Sequence, residues 1–518
     1  MLPPRATWHD YRPRRRHGMD SATVSYIALL NATLAMRDRY PDEPWAKRLA
    51  IFIQKTREKA LTDKTFQFAP YQIFAQQKVG KPEFRPIVAF NLQDTIISSL
   101  TARYLTNRFD PFLDDSSFAF RCPRPGERKA PNHHDAFAEV KSARYSYGEQ
   151  GLFVAEADIK GFFDCLDHGV IRKCFDKLEG EAKRAGRPIS HRAKIILEAL
   201  LRCYNFKDCV RNRSEELLPH ATDGIFPWPE VDLRKLNPRF EDSVIGVPQG
   251  GALSMVIANI VLHQADAMLR MLPNREEFTY IRYCDDMLIL SQDREVCTNA
   301  FNLYLSTLKD LRLPVHAPMV PPPYLGDGKR AFWNAKSKYP YCWGGEIDQG
   351  DFPWIGFVGY QLRWDGLARI RPSTIKKHVQ RLGEIQHNFL HLIHRLHSDQ
   401  GGVQKLSEQA EAIILRLRFT LNSLSVGRLR LSSEVPGERF WCNGFRAIKG
   451  LKIVGHQIKG LDRYREAVIR RVWREMRKLI GAASPVPHSD RRWLRYYGYP
   501  FSYYACFKRA KKGANPKP

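Results

Sequence analysis

Residues 281–290, IRYCDDMLIL, place two adjacent aspartates inside an apolar run that is typical of β-strands. Asp285 and Asp286 carry like charges, and two carboxylates in a partly buried place raise each other's pKa unless cations neutralise them. The segment therefore predicts a β-hairpin whose turn presents both acids. Such a turn is either solvated, as Asp-containing turns commonly are, or it holds a hard metal ion through oxygen ligands.

Another acid closes an apolar strand upstream, in VAEADIKGFFDCLDH at residues 154–168. By itself, Asp158 is more typical of a turn or a helix N-cap. With Asp285 and Asp286 it provides three carboxylates, which can hold two Mg²⁺ ions for an in-line phosphoryl transfer. Ions in that arrangement activate a 3′-hydroxyl and stabilise the leaving pyrophosphate.

A glycine-rich turn lies between these acids, in GVPQGGALSMVIANIVL at residues 246–262. Gly246, Gly250 and Gly251 surround Gln249 and precede a predicted helix. Glycine lets a backbone approach a ligand closely, so Gln249 is a candidate contact for a base or sugar. Taken alone, the turn is equally typical of an ordinary loop.

Charge and cysteine usage limit the partners and the compartment. Lysine and arginine number 82 against 55 acidic residues, a net charge of +27. This excess indicates a polyanionic partner, most simply nucleic acid, with a membrane-surface protein as the alternative. We expect no transmembrane helix and no secretion signal, because no long apolar stretch is present. The ten cysteines form no CxxC pair, which predicts no zinc site or disulfide framework and favours the cytoplasm.

The order of predicted elements indicates an α+β domain followed by helices. Strand and helix patterns alternate up to about residue 371, with a polar, Pro-rich insertion or long loop at about 207–243. We expect a helical, basic extension at 1–64, the α+β domain at 65–372, and a helical, basic region at 373–518.

The order and spacing of the motifs closely resemble the palm of reverse transcriptases. Asp158 precedes Phe163 by five residues, PQGG…S…N follows, and YCDD comes last. KPEFRPIVAFNLQD and DDSSFAFR look like the fingers motifs of that family, and FWNAKSKYPY and WIGFVGYQLRWDGLARIRPSTIKKH look like its later palm and thumb-entry motifs. The resemblance covers roughly residues 65–380. Many relatives have Ser-Pro where this chain has Ser254-Met255, a position that binds no metal.

The resemblance implies a right-hand polymerase fold, with an antiparallel sheet in the fingers and palm domain and an all-α thumb and C-terminal region. It is closest to bacterial enzymes of the group II intron and retron type. Among these it looks most like the unknown-group and abortive-infection reverse transcriptases, many of which are associated with phage defence.

In the family, residues that match Asp158, Asp285 and Asp286 hold two Mg²⁺ ions, for which Mn²⁺ can substitute, and the carbonyl of Ile159 is a further candidate ligand. Phe163 matches the aromatic residue that crowds the sugar 2′ position, or else it is a core residue. The remaining expected contacts to the incoming dNTP are Arg85, Lys78, Gln249 and Lys336, with Lys338 as the alternative to Lys336 near the pyrophosphate.

The resemblance implies an RNA-directed DNA polymerase of the bacterial cytoplasm. We expect an RNA template, most simply a dedicated noncoding RNA, a DNA product and dNTPs, an anti-phage role, a possible homo-oligomer and no membrane partner. The alternatives are a group II intron maturase and a non-catalytic RNA-binding scaffold. The tyrosines at 496–504 either pack the C-terminal tail and stack on bases or supply a hydroxyl that primes synthesis.

Overall fold

The computed structural model describes the chain in two compact units, one up to residue 353 and one from Trp354 on. Our expectations for residues 1–40 and for the tyrosines at 496–504 lie outside the described residues. The described ranges are 41–61, 65–78, 80–126, 130–148, 151–219, 223–322, 328–344, 354–426, 429–430, 440–441, 452–453 and 455–481.

The first unit combines helices with antiparallel strands. Its strands are β1 (Gln72–Gln77), β2 (Phe84–Ala89), β3 (Leu152–Ala157), β4 (Phe278–Tyr283), β5 (Asp286–Ser291) and β6 (Lys338–Trp343). Its helices are α1 (Pro44–Leu61), α2 (Leu92–Phe109), α3 (His133–Ser146), α4 (Phe162–Cys165), α5 (His168–Arg184), α6 (His191–Cys203), α7 (Ser214–Leu217), α8 (Glu230–Leu236), α9 (Ala252–Arg270), α10 (Arg294–Asp310) and α11 (Gly328–Asn334).

A four-stranded antiparallel sheet forms the centre of this unit, in the order β4-β5-β3-β6. Helix α10 packs on β3, β5 and β6, and α9 packs against α2, α5 and α10. The apolar side chains of these elements form one continuous core, which includes Ile257 of α9, Ile289 of β5 and Phe301 of α10. Burial of this core fixes the register of β3 against β5, because a one-residue slip would turn the apolar side chains outward.

The β1–β2 hairpin is joined to the glycine-rich turn. The Val88 N–H donates to the Gln249 carbonyl at 3.0 Å, which makes Ile87 and Gln249 a parallel bridge. Gly250 has φ +94°, and an added Cβ there would lie 3.5 Å from Ile87. Only glycine adopts this conformation without strain, so it permits the close approach of the turn to β2.

The described parts of the expected insertion or long loop, residues 207–219 and 223–243, are partly helical. They contain α7 and α8, and they bury Phe226, Leu233 and Phe240. Polar and proline residues dominate the segment, but these few apolar side chains anchor it to the unit.

The second unit joins a small sheet to three long helices. Its strands are β7 (Trp354–Phe357), β8 (Tyr360–Arg363), β9 (Leu367–Ile370), β10 (Leu429–Arg430), β11 (Phe440–Trp441) and β12 (Lys452–Ile453), and its helices are α12 (Pro372–Ser398), α13 (Gly402–Val426) and α14 (Gly455–Ile480). The sheet order is β12-β9-β8-β7, and the helices share a core that includes Leu382, Leu417 and Val472.

The division between the units falls earlier than the boundary we expect near Pro372. Strands β7 to β9 belong to the second unit because β9 pairs in parallel with β12, which lies more than 80 residues further along the chain. The region after 372 is therefore not purely helical. The predicted class, α+β with antiparallel sheets, is confirmed, whereas the expected all-α region after 372 is mainly helical and contains the short strands β10, β11 and β12.

Helix α9 is long and apolar enough to cross a membrane by length and composition. This differs from the expectation that the chain has no such helix. In the part of the chain that the structure describes, 78% of its apolar window is buried inside the first unit. A helix that is apolar on all sides is typical of the core of a large domain as well as of a membrane span.

Candidate active site

The predicted hairpin forms, and its turn contains only two residues. Tyr283 pairs with Asp286 across β4 and β5, which leaves Cys284 and Asp285 as the turn. Cys284 has φ +59°, a left-handed conformation that is uncommon for residues other than glycine. Backbone strain of this kind occurs preferentially at functional sites.

The register of the sheet brings Asp158 to the same end as this turn. Ala157 of β3 lies opposite Met287 of β5, so Asp158 follows β3 where Asp286 begins β5. Asp158 and the adjacent pair Asp285 and Asp286, from two distant parts of the sequence, therefore lie at one end of two adjacent strands. This is the arrangement that the order of the motifs predicts.

Asp158 and Asp285 interact electrostatically. Burial raises the pKa of the Asp285 carboxyl, the negative charge of Asp158 raises it further, and the positive charge of Arg85 lowers it. Asp286 is more exposed than Asp285. Among the described residues, no group of three or more His, Cys, Asp and Glu side chains is arranged to hold a metal ion.

The donors at this sheet end fit a hard divalent cation. Two carboxylates repel each other there, and a cation would relieve that repulsion. Magnesium is commonly bound by one or two carboxylates together with substrate phosphates. Ile159 is buried and bridges Val315, but the bonds of this bridge run from Lys160 to Pro314 and from His316 to Asp158. The Ile159 carbonyl takes no part in them.

Lys336 lies against Asp158 in the described structure. Its Nζ is 2.9 Å from Asp158 Oδ2 and 2.9 Å from His316 Nε2, and its side chain is 54% exposed. His316 was not identified from the sequence, although it follows the Pro-Val pair that bridges to Ile159. Burial and the Lys336 ammonium hold the pKa of His316 below its usual value.

Lys338, the alternative to Lys336, has a different setting. Its side chain is buried and its Nζ donates to Glu156 Oε2 at 2.8 Å. Lys338 begins β6, whereas Lys336 precedes that strand and lies outside its ladder. The geometry thus favours Lys336 over Lys338 as a residue that reaches a substrate.

Arg85 and Lys78 flank the site from the β1–β2 hairpin. Arg85 is exposed on β2, and its charge reaches both Asp285 and the buried Asp164. Lys78 forms an ion pair with Glu83 at 2.8 Å, and its charge also reaches Asp164. The structure therefore places Arg85, Lys78 and the carboxylates at the shared end of β3 and β5 in one region of the first unit.

Gln249 is held by Asp164, an acid that the sequence motifs do not indicate. Its Nε2 donates to Asp164 Oδ1 at 2.8 Å and to Asp164 Oδ2 at 2.7 Å. Burial raises the pKa of Asp164 to about 7. The sequence signal was an aspartate inside GFFDC, directly after the two phenylalanines.

Phe163 is both part of the core and close to the acids in sequence. Its ring makes an edge-to-face contact with Phe162 at 5.2 Å, and its carbonyl accepts from the Val247 N–H at 2.8 Å. The side chain is only partly buried, packed against the main core of the unit. Part of the Phe163 side chain is therefore accessible to solvent.

Comparisons with known proteins agree with the motifs. Residues 76–318 match the family model described as reverse transcriptase (RNA-dependent DNA polymerase). The group II intron-encoded protein LtrA of Lactococcus lactis subsp. cremoris is 24% identical over 208 residues, which cover 40% of this chain and 26% of LtrA. The chain thus matches about a quarter of the length of that curated relative.

Solved structures of telomerases are also similar. Telomerase from Candida albicans, in complex with a TWJ fragment of telomeric RNA, has a TM-score of 0.38 and 13% identity, over 90% of this chain and 68% of the telomerase. Apo telomerase from Candida tropicalis has a TM-score of 0.37 and 12% identity, over 88% of this chain and 74% of the telomerase.

Proposed function

Because residues 76–318 of the chain match the reverse transcriptase family model, we propose that the protein is an RNA-directed DNA polymerase whose active site is the shared end of β3 and β5. The observation that carries this proposal is the strand register, which sets Asp158 beside the turn that presents Asp285. An RNA template, a DNA product and dNTPs are its proposed partners.

Asp158 and Asp285 are the proposed holders of Mg²⁺ or Mn²⁺, with Asp286 and the Ile159 carbonyl in supporting positions. Divalent ions bound there supply the charge that activates a 3′-hydroxyl and stabilises a leaving pyrophosphate. A divalent cation there would also relieve the repulsion from Asp158 that, together with burial, raises the pKa of Asp285.

Neighbouring residues have the chemistry to bind a nucleoside triphosphate. The planar guanidinium of Arg85 suits phosphate oxygens, and it is exposed on β2. Phe163 has the bulk to exclude a 2′-hydroxyl, and the Asp164 carboxylate orients the Gln249 side chain. Lys336 forms an ion pair with Asp158, and its exposed ammonium has the charge to bind a pyrophosphate.

Basic residues of the second unit support a proposed contact with nucleic acid. Arg470, Arg471 and Arg474 are exposed on α14, as a helix that tracks a duplex backbone would require. We further propose a dedicated noncoding RNA as template, a role in anti-phage defence and a cytoplasmic location, on the strength of the net charge of +27 and the motif resemblance. Sequencing the RNA that copurifies with the chain tests the template.

A maturase function remains the second candidate, because the relative LtrA is a group II intron-encoded protein. The two functions predict different effects of the protein on the RNA that it binds. A maturase accelerates the splicing of an intron, whereas a polymerase on a noncoding RNA does not. A splicing assay with an intron RNA, run with an Asp158→Asn variant, separates a polymerase that also folds RNA from one that only copies it.

The direct test of the proposal is primer extension by the purified full chain. With Mg²⁺, dNTPs and a primed RNA template, we expect DNA products that the Asp158→Asn variant fails to make. A wild-type chain that binds the primed template but adds no nucleotide would instead identify a non-catalytic RNA-binding scaffold.

A further inference from the structure

A buried ion pair lies directly beneath the acidic turn. Arg282 of β4 and Asp266 of α9 both have fully buried side chains. Arg282 Nε donates to Asp266 Oδ1 at 2.7 Å, and Nη2 donates to Asp266 Oδ2 at 2.5 Å. The Tyr280 hydroxyl donates to Asp266 Oδ1 at 2.7 Å. The carboxylate is therefore bonded to two residues of β4, Tyr280 and Arg282.

The same guanidinium reaches the strained residue of the turn. Arg282 Nη1 donates to the Cys284 carbonyl at 3.0 Å and to Asn259 Oδ1 at 3.3 Å. Asn259 lies two helical turns before Asp266 on α9, so both face Arg282 from one side of that helix. Cys284 holds φ +59° immediately before Asp285.

The backbone of Arg282 is also fixed. Its N–H donates to the Ser116 carbonyl at 2.8 Å, and its carbonyl accepts from the Phe118 N–H at 2.9 Å. Arg282 is therefore bonded through its side chain to α9 and through its main chain to the 116–118 segment. The hydrogen bond from Arg282 Nη1 to the Cys284 carbonyl is the one that reaches the acidic turn.

Stability alone explains such a pair poorly. The free energy needed to remove two charges from water is about as large as the free energy gained from their attraction. Replacing a buried ion pair by apolar residues is therefore often neutral or stabilising. The bond to the Cys284 carbonyl gives the pair a different role. It holds a left-handed residue in place, and the position of that residue sets where the Asp285 carboxylate points.

We infer that Arg282, locked by Asp266 and Asn259, is a positioning residue that fixes the Cys284–Asp285 turn for cation binding. This inference rests on the proposed function, since Asp285 is a proposed ligand. Lysine is not equivalent to arginine here, because its donors lie on one nitrogen, whereas Arg282 bonds the two Asp266 oxygens and the turn carbonyl through three different nitrogens. Residues that orient a metal ligand typically change metal affinity or activity by about 10- to 100-fold when they are substituted.

The test uses Arg282→Lys in the full chain and measures the turn and the cation separately. Hydrogen exchange followed by mass spectrometry is expected to be faster in peptides from 278–291 and unchanged in β6. Binding of Mn²⁺, followed by the spin-resonance signal of the free ion, is expected to weaken about tenfold or more. In primer extension, kcat is expected to fall while KM for dNTP stays the same.

Arg465→Lys is the matched control. Arg465 is also a buried arginine, on α14 of the second unit, and it is ion-paired with Glu466. We expect it to lower thermal stability without changing Mn²⁺ affinity or hairpin exchange. If Arg282→Lys does not fold, the double variant Arg282→Met with Asp266→Leu replaces it, since that variant leaves no lone buried charge.

The outcomes separate this inference from the proposed function. Mn²⁺ binding that Asp285→Asn leaves unchanged would overturn the proposed metal site. Binding that Asp285→Asn abolishes and Arg282→Lys leaves at the wild-type level, with unchanged hairpin exchange, would overturn the positioning role alone. Loss of folding in both Arg282 variants would also overturn it and assign the pair to stability.

Discussion

At the residue scale, the candidate site joins residues that the motifs predict to residues that only the fold reveals. Asp158, Asp285 and Arg85 follow from recognisable sequence patterns. Asp164 and His316 do not, because their importance comes from what they touch: Gln249 in one case and Lys336 in the other. A sequence displays residue types and spacing, whereas a hydrogen-bond partner 85 residues away appears only in the folded chain.

Phe163 provides a test of sugar selection. We expect Phe163→Val to raise the use of rNTPs relative to dNTPs about tenfold or more, because it removes the bulk that faces the 2′-hydroxyl. Steady-state kcat/KM for each nucleotide gives the ratio. Phe162→Leu is the control, since Phe162 is fully buried in the core and its change should reduce stability without altering the ratio. An unchanged ratio in Phe163→Val would make Phe163 a core residue only.

Asp164 gives the stability of the protein a predictable pH dependence. Its pKa is raised to about 7 in the folded chain, mainly by burial, against about 3.9 when unfolded. Between these values the folded chain keeps a proton that the unfolded chain loses, so this group destabilises the fold progressively from about pH 4 to pH 7. The Asp164→Asn variant lacks this effect. Its melting temperature relative to wild type should therefore rise between pH 5 and pH 8, and a constant difference would contradict the raised pKa.

At the element scale, the hairpin and the glycine-rich turn were predictable because a short apolar run and clustered glycines indicate local structure directly. The long-range partners of strands were not. Strands β7 to β9 look like a continuation of the first domain in sequence, yet β9 pairs with β12 in the second unit. The apolar anchors of 207–243 were hidden for a similar reason, as three buried side chains are a weak signal among many polar residues.

Gly246 tests the role of the glycine-rich turn. It has φ +98°, and an added Cβ would lie only 2.7 Å from the Phe206 Cβ. We expect Gly246→Ala to lower the free energy of unfolding by about 1–3 kcal/mol or more, through backbone strain and overlap. Gly126→Ala is the matched control, because Gly126 has φ +79° with open space around it. Urea denaturation should show a larger loss for Gly246→Ala, and equal losses would mean that the overlap with Phe206 is relieved at no cost.

At the scale of the whole molecule, the net charge of +27 predicts how the chain holds nucleic acid. Phosphate neutralisation releases counterions, so the affinity for RNA should fall by about 10³- to 10⁵-fold between 50 and 200 mM salt if roughly 6–10 phosphates are contacted. Replacing Arg470 and Arg474 by Glu should reduce the slope of log K against log salt by about two. The same double change at Lys183 and Arg184, exposed at the end of α5, is the control. A flat salt dependence of the wild type would assign the charge to another partner.

The most direct measurement is nucleotide addition by the double variant Asp285→Asn with Asp286→Asn, beside its RNA affinity. The account predicts that primer extension with Mg²⁺ and dNTPs falls to background, because the carboxylates that hold the cations are gone. RNA binding by the same protein should stay close to wild type, since the basic surface is intact. Extension at a rate near that of the wild type would contradict the assignment of the active site to the shared end of β3 and β5.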